Sequence, residues 1–203
     1  MTILETLGAD RVVALVRAPE IPDAAELSAA LARGGIRVME LTFTTPSVER
    51  HIAAVSEAGG IVGAGTVLTG AQAASAIEAG AQFLVTPGIV PAVAEVAADA
   101  GVELLMGALT PSEVLRALEL GAAAVKIFPA QTVGPAYFRH LSGPLPGVPL
   151  VASGGIDSDN ARVYLDSGAY AVTAGSGVVR ATDLAASDWP AVERLAREFT
   201  ASL

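Results

Sequence analysis

The chain has 203 residues and a formal net charge of −9, with 52% hydrophobic and 4% aromatic residues, 21 glycines and no cysteine. This length suits one domain or one barrel with a sizeable core, which must be built from Ala, Val, Leu and Ile. There is no basic patch for a nucleic acid and no apolar run of the ~18–20 residues a membrane helix needs, and the lack of cysteine excludes disulfides, thiolate catalysis and cysteine-bound metals.

The N-terminus, "MTILETLGADR", carries two acids before its first arginine and does not resemble a secretory signal, so the expected location is the cytoplasm. The first apolar run, Val12–Val16, leads into Arg17. Further runs follow at Val38–Phe43, Ile61–Val67, Phe83–Thr86, Glu103–Met106, Ala123–Phe128, Leu150–Ala152 and Tyr170–Ala174. Most are continuously apolar, as parallel strands covered on both faces should be. Between them "EAGG", "EAGA", "DAGV", "ELGA" and "DSGA" each set an acid and a small or apolar residue before a glycine: Gly59, Gly80, Gly101, Gly121 and Gly168. The wide interval from Gly121 to Gly168 leaves room for two units, with Gly143 near its middle, and Gly34 adds an earlier member. A glycine just past a helix supplies a left-handed residue.

Helix starts agree. "TPSE" (Thr110–Glu113) reads as a capping box with proline at the first helical position, and "TGAQ" (Thr69–Gln72) has the same spacing. Prolines also open helices near Pro46 and Pro91, and "WPAVERLAREFTASL" reads as a final amphipathic helix. Alternating strands and helices imply right-handed parallel units. Eight of them in one domain-sized chain predict a single-domain (β/α)₈ TIM barrel over residues 1–203. An open doubly wound sheet is the alternative, but it usually has fewer strands, and no G-x-G-x-x-G opens the first helix.

In a barrel, chemistry sits at the C-terminal ends of the strands. The polar residues there are Arg17, Glu40, Thr42, Thr44, Thr66, Thr86, Lys126, Ser153 and Ser176. Lys126, in "AAAVKIFPA", is the only lysine, against eleven arginines. An ammonium buried without a partner is costly, so a lysine in such a place is driven toward the neutral amine, a nucleophile that forms Schiff bases with carbonyl compounds. The alternative is a lysine that reaches the rim or pairs with an acid. Glu40, in "VMELTF", is the natural partner, either as an acid/base group or as half of a structural ion pair. The glycine clusters "ASGGID" (Ala152–Asp157) and "TAGSGV" (Thr173–Val178) follow strands 7 and 8, the frequent phosphate site of barrels. There, close-approaching backbone N–H groups favour an anion. The fork of Arg17 suits a carboxylate or pairs with a helix acid, and Thr66 in "GAGTV" points inward or caps a helix. His51 and His140 fall in or near helices in no metal-binding pattern and read as surface histidines.

In order, "VVALVRA", "VMELTFTTP", "GAGTV", "VTPGIV", "VKIFPA" and "SGGI" resemble the bacterial 2-keto-3-deoxy-6-phosphogluconate (KDPG) aldolases, which include the 4-hydroxy-2-oxoglutarate (KHG) aldolases. The resemblance runs from Val12 to Val179. The related 6-phosphogalactonate aldolases share the K-I-F-P block. The resemblance implies a trimeric (β/α)₈ class I aldolase that needs no metal or organic cofactor. Its substrate is a keto-acid sugar phosphate, cleaved to pyruvate and glyceraldehyde 3-phosphate. It implies Lys126 as the Schiff-base lysine and Glu40 as the acid/base. Arg17 and Thr66 would hold the carboxylate region, and Pro87 and Phe128 would line the Schiff-base pocket. Gly154, Gly155, Gly175 and Ser176 would hold the phosphate. There are two departures. Thr44 stands where some members have arginine. Ser153 stands where many have threonine, at a position linked to stereochemical preference. The rival readings are a phosphate-binding epimerase or decarboxylase with a charged Lys126, and a sugar-phosphate-binding protein with a structural Lys126–Glu40 pair.

Overall fold

The computed structural model describes residues 2–203. A helix, α1 (Ile3–Asp10), precedes eight parallel strands: β1 (Val12–Val16), β2 (Val38–Thr42), β3 (Ile61–Gly65), β4 (Phe83–Val85), β5 (Glu103–Ala108), β6 (Ala124–Ile127), β7 (Leu150–Ala152) and β8 (Ala171–Ala174). Each pairs with its sequence neighbours, and β8 pairs with β1, so the sheet closes and the open-sheet alternative falls. The outer layer begins with α2 (Ala24–Arg33), α3 (Val48–Glu57), α4 (Gly70–Glu78), α5 (Pro91–Ala100) and α6 (Pro111–Glu119). It continues with the short α7 (Ala130–Val133), α8 (Ala136–Ser142), α9 (Ala161–Asp166), the short α10 (Ala181–Ala185) and α11 (Trp189–Ala201).

The glycine rhythm works as expected at Gly59, Gly80, Gly101, Gly121 and Gly168, which all take positive φ. Gly34 and Gly143 do not, with φ of −80° and −58°. At Gly34 the requirement is space: a Cβ there would lie 2.4 Å from the Cβ of Ala196 on α11. Gly35 makes the left-handed turn instead.

The helix starts also hold with two adjustments. Thr110 and Glu113 form the full capping box. Thr69 accepts from the Gln72 N–H, but the Gln72 side chain accepts from the N–H of Leu68, one residue before the cap. Pro91 is the first residue of α5, whereas Pro46 lies two residues before α3, whose N-cap position is held by Ser47 without a side-chain capping hydrogen bond.

Two apolar layers result. Outward-facing strand residues pack under the helices. Inward-facing Val13, Val38, Phe83, Leu105, Ala124 and Ala171 meet Ile3 and Leu7 of α1. These inward residues come mostly from the first halves of their strands, so α1 plugs the N-terminal end of the barrel. The Glu103 carboxylate secures it, accepting from the N–H groups of Ile3 and Leu4. Only the C-terminal mouth is left for a ligand.

The backbone N–H groups of Leu109 and Thr110, with the Thr110 hydroxyl, hold the Glu113 carboxyl below its ordinary value of 4.5. Such a group stabilises the fold above the ordinary value and loses that contribution as pH falls through the lowered one. Thr110→Ala is expected to cost about 1 kcal/mol in urea denaturation. The stability difference between the parent and Glu113→Gln should shrink on acidification below pH 4.5.

Candidate active site

β2 and β6 lie on different sides of the barrel, and each sends one ionisable side chain into the lumen. Lys126 Nζ stands 3.3 Å from Glu40 Oε1. The two residues are 5% and 1% exposed. Neither charge could be buried alone without several kcal/mol of desolvation, on the order given for ions in protein interiors, so each is the condition for the other. The ring of Phe128 lies 5.8 Å from the amine and adds a cation–π contact.

Glycines make the room. A Cβ on Gly65 would lie 2.0 Å from Glu40 Oε1. One on Gly63 would lie 2.5 Å from the Phe83 ring, which fills the layer below. One on Gly107 would lie 2.2 Å from the Pro87 carbonyl carbon, so the turn after β4 folds in against β5. Thr86 fixes that turn, donating to the Gly88 carbonyl and accepting from the Gly107 N–H. Its proton is therefore committed to the turn and cannot be given to a ligand.

The Phe128 ring, 5.8 Å from the amine, also lines a cavity of about 330 Å³ together with Arg17, Ser153, Gly154, Gly155, Thr173, Gly175 and Ser176. Here the residues expected from the loops after strands 7 and 8 come together. Among the described residues, the N–H groups of Gly154, Gly155, Ser176 and Gly177 donate to no backbone carbonyl. The amides of Gly154, Gly155 and Ser176 line this cavity, and with the exposed Arg17 guanidinium, which makes no ion pair among the described residues, they form a cradle for an anion. A larger recess of about 440 Å³, between the loops after β1 and β2, holds none of the strand-end hydroxyls. Size alone would point to the wrong place.

Other expected residues fall differently. β3 ends at Gly65, and Thr66 turns left-handed at φ 56° instead of continuing the strand. A β-branched residue in that region is strained by about 1–2 kcal/mol. The half-buried Thr66 sits at the mouth without an intramolecular side-chain hydrogen bond among the described residues. Thr42 is buried and shares a 2.8 Å hydrogen bond with the exposed Thr44. Arg17 lines the cavity with the glycine loops. His140 is exposed on α8. His51 on α3 is half-buried, and burial together with Arg50 pushes it below the usual imidazole range. Sequence reasoning misses Gly65 and Thr173. The signal for Thr173 was present, since it stands two residues before Gly175 and therefore on the same face of the strand.

A family model described as KDPG and KHG aldolase matches residues 3–195. The chain belongs to this family. The 2-dehydro-3-deoxy-phosphogluconate aldolase of Treponema pallidum is 39% identical to it, over 98% of this chain and 96% of that one. A solved 4-hydroxy-2-oxoglutarate/2-dehydro-3-deoxyphosphogluconate aldolase from TTHB1 superposes with a TM-score of 0.90 at 34% identity, covering 100% of this chain and 99% of that one. The KDPG aldolase of Legionella pneumophila, with pyruvate captured as a covalent carbinolamine, superposes with a TM-score of 0.88 at 29% identity, covering 97% of each chain. Membership makes the protein an aldolase, a carbon–carbon lyase, and the epimerase and binding-protein readings give way.

Gly65→Ala tests whether the space over β3 matters to this family chemistry. The added methyl should displace the Glu40 carboxylate and slow aldol cleavage by about 10²-fold, the order expected for misplacing a reacting group by an ångström. Stability in urea denaturation should drop only by an overpacking cost of about 1–3 kcal/mol. A parent-like rate would mean that the carboxylate does not need its place.

Proposed function

We propose that the chain is a class I aldolase that cleaves 2-keto-3-deoxy-6-phosphogluconate to pyruvate and glyceraldehyde 3-phosphate. The observation that carries this reading is the buried Lys126–Glu40 pair beside an amide-lined cavity. Transfer of one proton across the 3.3 Å contact leaves a neutral amine facing a neutral acid. The amine attacks the C2 ketone and forms a carbinolamine. Glu40 supplies the proton that lets water leave, giving a protonated imine and a carboxylate. The carboxylate then takes the C4 hydroxyl proton. The C3–C4 bond breaks, its electron pair passes into the imine as an enamine, and glyceraldehyde 3-phosphate departs. Protonation of the enamine at C3 and hydrolysis of the imine release pyruvate and restore the amine. No cofactor takes part.

The phosphate is read into the cradle formed by Gly154, Gly155, Gly175 and Ser176. Arg17 shares that cavity, which supports a role toward the phosphate over the carboxylate role the family resemblance implies. The carboxylate then falls to Thr66 and backbone groups near Pro87. A phosphate site of this kind gives a chain of net charge −9 the local positive potential that an anionic substrate requires. On the resemblance, residues 1–203 form one domain that assembles as a cytoplasmic homotrimer, which sedimentation velocity would test. Among the described residues no helix is long and apolar enough to cross a membrane.

Incubation with pyruvate and borohydride should add one reduced pyruvyl group, which peptide mapping places on Lys126. Lys126→Met, which keeps the stem's volume, should lose both the adduct and turnover. An unmodified mass from folded parent protein would overturn the mechanism. Arg17→Ala should raise KM for the phosphorylated substrate by at least about tenfold, the order of one charge-assisted contact, with little effect on pyruvate trapping.

A further inference from the structure

Three successive peptide units follow β7, joining Ser153 to Gly154, Gly154 to Gly155 and Gly155 to Ile156. In a trans peptide the carbonyl and the N–H of one unit point in opposite directions, so a group that holds the carbonyl also aims the N–H. The first two units are held by backbone donors. The Ser153 carbonyl accepts from the Ala130 N–H at 2.7 Å, and the Gly154 carbonyl accepts from the Gln131 N–H at 3.1 Å. Both donors open α7. The N–H groups aimed in this way are those of Gly154 and Gly155, which line the cradle.

The third unit is held by a side chain. The Gly155 carbonyl accepts from Asn160 Nδ2 at 2.9 Å. The N–H on the far side of that unit belongs to Ile156, which lines the same cavity and donates to no protein acceptor among the described residues. Gly154 and Gly155 take φ of 95° and 75°. Glycine reaches other conformations at little cost. Without its anchor the third unit is free to turn its carbonyl toward the cavity, where it would repel an anion.

Asn160 is fitted to this role. It stands at the N-cap of α9, where an asparagine ordinarily accepts from the helix's own amides, yet it makes no such bond. Its side chain turns back into the loop instead. Oδ1 accepts from the Asp157 N–H at 3.1 Å while Nδ2 donates to Gly155. The Asn160 N–H donates in turn to Asp157 Oδ1 at 3.1 Å, which fixes the asparagine in place. An amide supplies acceptor and donor together, and an ionised carboxylate supplies only the first.

We propose that Asn160 is a positioning residue that aims the Ile156 N–H into the cradle as a further donor to the substrate's phosphate. The proposal rests on the reading of that cradle as the phosphate site.

The test compares cleavage kcat/KM for the phosphorylated six-carbon acid with hydrogen–deuterium exchange of the pyruvate methyl group, which needs Lys126 and Glu40 but no phosphate. In Asn160→Ala the ratio of cleavage to exchange should fall about tenfold, the lower order for one hydrogen bond to a charged group, through KM and not kcat. Replacing Ile156 by its α-hydroxy acid analogue turns that amide into an ester, keeping the side chain and removing the N–H, and should cause the same loss. The doubly altered protein should lose no more than either single one, because Asn160 acts through that N–H. A ratio within twofold of the parent in either singly altered protein, or additive losses in the doubly altered one, would overturn the proposal. A parent that cleaves the same acid without its phosphate equally well, within twofold, would overturn the phosphate reading itself, and the proposal with it.

Discussion

The structure turns on two opposite charges held 3.3 Å apart in the lumen of an otherwise apolar barrel. A pair like this is not a source of stability in itself, since desolvation offsets most of the attraction. Its consequence is precision. With water largely excluded, each group has one partner and one place. The neighbouring residues are small where that place must be kept open, as at Gly65, and large where the lumen must be closed beneath it, as at Phe83 over Gly63. Closure by α1 at the N-terminal end completes the arrangement, because a lumen open at both ends would hydrate the pair.

The mouth then divides into two chemical halves. Between the facing strands β2 and β6 lie the carboxylate and the amine, suited to covalent chemistry on a carbonyl, and the Phe128 ring borders both parts. On the side of β7, β8 and β1 lie unpaired amides and one guanidinium, suited to an anion. A ligand spanning both must be an extended molecule with a carbonyl at one end and a negative group at the other. That description agrees with the family to which the chain belongs. The buried hydroxyls of Ser153 and Thr173 belong to the second half.

Much of this was legible in the chain because the signals are local. The glycine rhythm marks helix ends wherever a left-handed residue is needed one step past the helix. The capping box at Thr110 closes through contacts only three residues apart. Strands buried on both faces show as uninterrupted apolar runs. The misreadings have a common cause. Gly34, like Gly59, stands between a helix and an apolar run, yet it is required for close approach to Ala196, more than 160 positions away. Thr86 and Thr66 both look like mouth-facing threonines. The backbone turns at Thr66, and a carbonyl two residues on captures Thr86. α1 carries a capping box of its own, yet only its fit against the first halves of the strands gives it a role.

The sequence by itself determined the strand-and-helix order, the closed barrel that eight such units imply, the singularity of Lys126 and the family. These follow from periodicity, composition and short-range chemistry, all written along the chain. Only the tertiary structure decided that Glu40 reaches Lys126 across 86 positions, that Gly65 holds the space for its carboxylate, that Arg17 joins the glycine loops, and that Thr173 donates to Ser153. Each of these is a contact between strands whose facing depends on how the sheet closes, and no local pattern encodes the distance across a lumen.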